Sequence, residues 1–206
     1  MSLQTESRTS KNLQDMKYPS CNMFADCDTM SSAVTCIAIR KGRCSMGKKA
    51  DEKTNVMRVL DQKKISYKSY CYAETGAVNG MEVAEILKEN PDTVFKTLVT
   101  VGKTGSHYVF VVPVNRELDL KKAASAAGEK SIEMLKAKDL LPLTGYVHGG
   151  CSPIGMKKLF KTFIHKTAAD YETILFSGGK IGYQVEVSLA DLQKVIPVQT
   201  ADITEE

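Results

Sequence analysis

The sequence contains no tryptophan, and aromatic residues make up only 7% of its 206 positions. A core must therefore be built mainly from aliphatic side chains, and a hydrophobic share of 43% is enough to supply one. Long apolar runs are also missing. The longest early one, Val34 to Ile39, is interrupted by Thr35 and Cys36. It is too short to span a membrane and lacks the form of a signal-peptide core. Histidine is scarce, with three in the chain, and none lies at zinc-finger spacing from a cysteine. The six cysteines, Cys21, Cys27, Cys36, Cys44, Cys71 and Cys151, include no Cys-x-x-Cys pair. These gaps argue against a zinc module, a redox dithiol and a disulfide scaffold, and point to reduced thiols in a cytoplasmic protein without a metal or cofactor. A net charge of +4 excludes a histone-like basic coat. Any nucleic-acid contact should be a local patch.

What is present divides at about residue 50. Residues 1–50 are rich in Ser, Thr, Asn and Asp and show no sustained hydrophobic period, so they read as a disordered extension. Residues 51–206 carry regular patterns without a linker and read as one domain. Helical spacing predicts helices from Asp51 to Lys64, capped by Thr54 or Asp51, and from Met81 to Glu89, stopped by Asn90-Pro91. Two more are expected over Leu118–Ala127 and Ala190–Val195. Alternation predicts strands over Ile65–Tyr72, Val94–Val101 and His107–Val114, the last two joined by a hairpin turn at Gly102–Gly105. Further strands are expected near Thr162–Ile164, Tyr171–Phe176 and Gly182–Val187, with a strand and short helix between Ser131 and Leu141. The fold class expected is mixed α/β: a mixed, largely antiparallel sheet or partly closed barrel flanked by helices.

Two features stand apart from this frame. The stretch Gly145-Tyr-Val-His-Gly-Gly-Cys-Ser-Pro-Ile-Gly155 holds four glycines and a proline. Tyr146 and Val147 read as the end of a strand leading into a loop. Such a loop either joins two packed elements or presents backbone N–H groups to an anion. The second feature is Lys96 inside Val94-Phe-Lys-Thr-Leu-Val99. Period two places Phe95, Thr97 and Val99 on one face and Val94, Lys96 and Leu98 on the other. Lys96 then lies either on a solvated face or in a pocket, where an ammonium could steady a carbonyl oxygen or a ribose hydroxyl.

Four motifs occur together in order: Phe95-Lys-Thr-Leu98, Leu118-Asp-Leu-Lys-Lys-Ala-Ala124, Thr144 to Gly155, and Phe176-Ser-Gly-Gly-Lys-Ile-Gly182. As a set, they resemble the YbaK family of aminoacyl-tRNA deacylases, relatives of the editing domain of bacterial prolyl-tRNA synthetases. The resemblance runs from about residue 53 to the C-terminus. It implies hydrolysis of mischarged tRNA, cysteine on proline tRNA in the YbaK branch, with prolyl-tRNA synthetase as a further partner and no DNA; the alternatives are a deacylase for another small residue such as alanine, or a non-catalytic module that holds tRNA or a synthetase. By residue, it implies Lys96 as the essential group and Gly149 as a source of backbone contacts. It also implies a pocket lined by Tyr72, Phe95, Thr97, Gly150, Ser152, Ser177 and Gly178. The family's chemistry is thought to use the substrate's own thiol as nucleophile. Cys151 is expected to be a small core residue and His148 a rim residue. Ile181 departs from the family pattern, which often has a basic residue there, so the tRNA backbone is expected to meet Lys157, Lys158, Lys161 and Lys166 instead.

Overall fold

A computed structural model describes residues 53–205. The extension expected over residues 1–50 lies outside the described residues. The chain opens on α1 (Asn55–Gln62), capped by Thr54, whose hydroxyl accepts from the Met57 N–H. Val56, Met57 and Leu60 form its buried face. The helix is shorter than its hydrophobic spacing suggests because Lys64 turns into the left-handed region at φ 58°. Strand β1 follows (Lys68–Cys71), then a 3-10 turn (Ala73–Thr75) and α2 (Gly80–Leu87), capped by Asn79. The hairpin β2 (Phe95–Gly102) and β3 (His107–Pro113) has the expected turn, with the Gly105 N–H bonded to the Gly102 carbonyl.

Helix α3 (Leu120–Ala127) is capped by Asp119, which accepts from the N–H groups of Lys121 and Lys122. Short β4 (Ile132–Met134) and α4 (Ala137–Thr144) lead into the glycine-rich stretch. Beyond it run β5 (Lys161–His165), β6 (Ile174–Ser177), β7 (Tyr183–Val187), α5 (Leu189–Val195) and β8 (Val198–Ala201). Strand β8, after Pro197, has no apolar alternation and is not legible in the pattern. Its pairing with β5 makes it a strand. Tyr146 and Val147 do not end a strand. They leave α4 through Gly145, whose φ of 87° stops the helix, and Tyr146 is buried with its hydroxyl donating to the Ile154 carbonyl at 2.7 Å.

The mix of sheet and flanking helices is as expected, carried on two sheets. One is three-stranded and antiparallel in the order β1-β7-β6, and the other is five-stranded in the order β4-β2-β3-β5-β8. Within the larger sheet β2 pairs antiparallel with β3 and β4, while β3–β5 and β5–β8 are parallel. Phe95, Val99, Val109, Ile164, Phe176 and Val185 share the main core with Leu60 of α1. Each such side chain contributes about 1.5–3 kcal/mol by leaving water. A second core joins Phe110, Val112 and Phe163 to Ala123 of α3. A third packs Ala84 of α2 on Val94, Leu175 and Tyr70. This third core is what roofs the smaller sheet.

Candidate functional site

The two sheets meet where the leading end of β2 runs beside β6. Val94 and Leu175 form a parallel bridge, and the Leu175 N–H bonds the Thr93 carbonyl at 2.9 Å. Two residues further along each segment come Lys96 and Ser177. Ser177 opposes Gln184 on β7, and Gln184 opposes Tyr70 on β1. Ser177, Gln184 and Tyr70 thus make a row across β6, β7 and β1, and Lys96 extends it at the corresponding position on β2, just beyond the single bridge between the sheets. Alternation gives the row a single face, because Val94, Leu175 and Tyr70 share one apolar cluster under α2.

Lys96 is neither free nor fully exposed. Its Nζ lies 2.7 Å from the Glu117 carboxylate, and the two side chains are 26% and 75% exposed. An ion pair with one partner so open to water contributes little to stability and is readily exchanged for another ligand. Tyr72 closes the other end of the row. It is buried, and its N–H bonds the Gly182 carbonyl at 2.8 Å. Burial raises the phenol above its ordinary range, with hydrogen bonds involving Gln184 and Gly182 offsetting part of the rise. Ser177 accepts from the Gly179 N–H at 3.2 Å, which fixes the turn between β6 and β7.

Glycine is required where this turn meets its neighbours. Gly149 has φ 79°, and a Cβ there would stand 2.6 Å from Val78 Cγ1; one on Gly150 would stand 3.1 Å from the Ile181 nitrogen. At Gly182, φ is 87° and a Cβ would come within 2.5 Å of the Ala73 Cα. The glycine loop, the 178–182 turn and the segment from Ala73 to Val78 therefore interlock at backbone distance. Val78, Val147 and Ile181 leave 48%, 46% and 40% of their surfaces exposed beside the junction.

The expected site residues divide in this structure. Lys96, Tyr72, Gly149, Gly150, Ser177 and Gly178 belong to the row or the interlocked turns. Phe95 is 2% exposed and packs in the main core, and Thr97 shares its face, with a buried Oγ1 that has no hydrogen-bond partner. Ser152 is wholly buried, and its hydroxyl accepts from the Ile154 N–H at 3.4 Å, shaping the loop from inside. Cys151 is buried and its thiol is pushed up to about 12 by burial, whereas His148 is exposed.

The lysines scatter. Lys157 Nζ donates to the Leu141 and Pro142 carbonyls of α4, and Lys166 pairs with Asp202 at 2.8 Å. Lys161 opposes Tyr108, whereas Lys96 opposes Val112, four positions or about 13 Å along β3. Lys158 lines both of two cavities of about 300 and 190 Å³, one beside His107 and Leu143 and the other beside Met156 and Phe160. Neither cavity reaches Lys96, Ser177 or Gln184.

Sequence reasoning missed Gln184 and Glu117. In Tyr183-Gln-Val-Glu-Val187 alternation assigns Gln184 and Glu186 to a solvated face. Both are buried, at 6% and 7% exposure, because the turn and α2 cover that face. Glu186 has its partners: Lys68 at 2.9 Å, Thr173 at 2.8 Å and the Tyr70 hydroxyl at 2.5 Å. These hydrogen bonds hold its carboxyl below the ordinary range against the opposing effect of burial.

A model of the aminoacyl-tRNA editing domain matches residues 76–195. The chain is also 46% identical over 158 residues to EbsC of Enterococcus faecalis, provisionally named a Cys-tRNA(Pro)/Cys-tRNA(Cys) deacylase. The match covers 76% of this chain and 96% of that protein. This chain belongs to the aminoacyl-tRNA editing family. The resemblance to YbaK proteins carried by the four motifs is borne out, and the family's reaction class, hydrolysis of aminoacyl-tRNA, comes with it. The fold agrees. The editing domain superposes on a protein provisionally described as a trans-editing enzyme for prolyl tRNA synthetase with TM-score 0.65 and 24% identity, over 74% of this chain and 96% of that one. It superposes on the hypothetical protein APE2540 with TM-score 0.68 and 20% identity, over 73% and 99%. Among the described residues, no helix is long and apolar enough to cross a membrane.

Proposed function

We propose that this editing domain hydrolyses cysteine from proline tRNA in trans, with Lys96 supporting charge at the ester and the substrate's own thiol attacking it. The observation that carries the reading is the state of the enzyme's own thiol in the glycine loop. Cys151 is 8% exposed and pushed up to about 12, so at neutral pH it holds its proton and is no nucleophile. The substrate thiol, with an ordinary pKa of about 8.5, is the better source of a thiolate.

The chemistry then runs as follows. The cysteinyl thiol loses its proton, and the sulfur attacks the ester carbonyl carbon. The carbonyl oxygen takes up negative charge beside the Lys96 ammonium, which has three donors and spends one on Glu117. The C–O bond to the terminal ribose breaks, the ribose oxygen takes a proton, and a four-membered thiolactone leaves. Water opens that ring to free cysteine. The row from Lys96 to Tyr72 holds the aminoacyl group, and the Gly149–Gly150 loop sets its wall. A surface patch takes the phosphates, for which the exposed Lys158 and Lys161 are the candidates that no α4 carbonyl or Asp202 engages. Similarity to EbsC supports the cysteine preference, and prolyl-tRNA synthetase is the partner that would supply the mischarged tRNA.

Single-turnover hydrolysis of Cys-, Ser- and Ala-charged proline tRNA tests this reading. The Cys ester should be cleaved fastest and the Ser ester poorly, since a hydroxyl offers far less anion than a thiol. Equal rates on Cys and Ser esters would contradict thiol attack, and a preference for Ala would reassign the specificity.

A further inference from the structure

Gln184 is 6% exposed, and its Oε1 is buried without a hydrogen-bond partner among the described residues. An amide carbonyl left in this state is costly, and a native fold tolerates it where a ligand supplies the missing donor. The position of Gln184 identifies that ligand. It opposes Ser177 and lies two strands from Lys96 on the same face. The side chain also lies close enough to Tyr72, at the end of the row away from Lys96, to offset part of the rise that burial imposes on that phenol.

An aminoacyl ester has one strong cationic donor close to its carbonyl, the α-ammonium. Lys96 repels that group, so an ester with its carbonyl at Lys96 must turn its ammonium along the row. Next in that direction are the uncharged Ser177 and then Gln184. Glu186 lies two residues beyond on β7 and adds negative potential on the same side. Its own oxygens are already engaged by Lys68, Tyr70 and Thr173, so its charge attracts the ammonium while Gln184 remains the open acceptor.

We infer that Gln184 recognises the α-ammonium of the bound aminoacyl group, accepting a hydrogen bond through Oε1 and setting the orientation in which the ester carbonyl faces Lys96. Gln184 is thus a specificity-determining residue for esters of free amino acids over N-blocked ones. This assignment rests on the deacylase reading of the site.

The test compares cysteinyl-tRNA(Pro) with its N-acetylcysteinyl counterpart, in hydrolysis and in binding of hydrolysis-resistant amide-linked 3′-aminoadenosine analogues. Wild-type protein should favour the free amine by about 10- to 100-fold in kcat/KM and in analogue affinity. Gln184→Met should abolish that discrimination by weakening the free-amine ligand alone, and Gln184→Glu, which keeps an acceptor, should preserve it. A Gln184→Met protein that loses both ligands equally, with its melting temperature lowered, would show a merely structural role and overturn the inference. So would wild-type protein that binds the two analogues equally. Failure of wild-type protein to hydrolyse cysteinyl-tRNA would count against the deacylase reading instead, and the analogue arm would still decide the role of Gln184.

Discussion

Two polar regions lie inside this domain, and they differ in how completely their groups are satisfied. Around His165 every valence is taken. The imidazole is 0% exposed, with Nδ1 at 2.8 Å from the Thr167 hydroxyl and Nε2 at 3.1 Å from the Thr204 hydroxyl and 3.4 Å from Asp202. Lys166 and Lys122 close on Asp202 from outside, at 2.8 and 3.7 Å. Across the row from Lys96 to Tyr72, in contrast, valences stay open. Gln184 Oε1 has no partner, and Lys96 is tied only to an exposed carboxylate. A closed network fixes the β5–β8 edge of the larger sheet, whereas an open one is poised for a ligand. Breaking the first should cost stability, and breaking the second should cost rate.

The largest effect expected is at Lys96. Lys96→Arg should lower the single-turnover rate by about 10²-fold, because a planar guanidinium cannot place a compact charge where the ammonium sits. The melting temperature should hardly move. Next comes Gly182→Ala, which forces φ 87° on an L-residue and drives its Cβ into the Ala73 backbone. A loss of about 2 kcal/mol is expected in denaturant titration, with activity falling as the interlocked turns separate. Cys151→Ser buries a hydroxyl in the main core and should cost about 1–3 kcal/mol of stability. Its rate per folded molecule should be unchanged, and a rate that collapses would restore Cys151 as nucleophile.

The smallest effect is in pH. Burial, the largest influence, holds the His165 imidazole below its ordinary range. A depressed imidazole means that the unfolded chain takes up the proton first, at about pH 6.5. Stability is therefore full above that value and falls as pH drops below it toward the folded pKa. Melting temperatures from pH 7.5 to pH 5 should decline, and His165→Gln should flatten the decline. An unchanged slope would mean that another group governs it.

Much of this arrangement was legible in the chain, and its gaps have physical causes. Helices α1, α2 and α3 follow from apolar spacing, and the start of α1 from its cap at Thr54, whereas the caps at Asn79 and Asp119 emerge only in the structure. The β2–β3 hairpin follows from its own turn. The motifs singled out Lys96, Gly149 and Ser177 as candidates for the site. Gln184 escaped because alternation cannot tell a solvated face from one roofed by α2 and a neighbouring turn. Strand β8 escaped because its burial pattern is half-exposed and only its parallel pairing with β5 defines it. The split between Phe95, which faces the core, and Lys96, which faces the row, follows from period two, yet which face holds the site depends on the distant Val94–Leu175 bridge.

The most direct measurement sets the two polar regions side by side. Lys96→Ala and Thr204→Val are each assayed for single-turnover hydrolysis of cysteinyl-tRNA(Pro) and for thermal stability, with rates normalised to the folded fraction. Thr204 is 2% exposed, and valine there removes the hydroxyl from His165 Nε2, leaving that nitrogen only Asp202 at 3.4 Å. The account predicts that Lys96→Ala slows hydrolysis by about 10²–10³-fold with an unchanged melting temperature. It predicts that Thr204→Val keeps the wild-type rate while losing about 1–3 kcal/mol of stability. Full activity in Lys96→Ala, or a Thr204→Val rate that falls as far as that of Lys96→Ala, would contradict it.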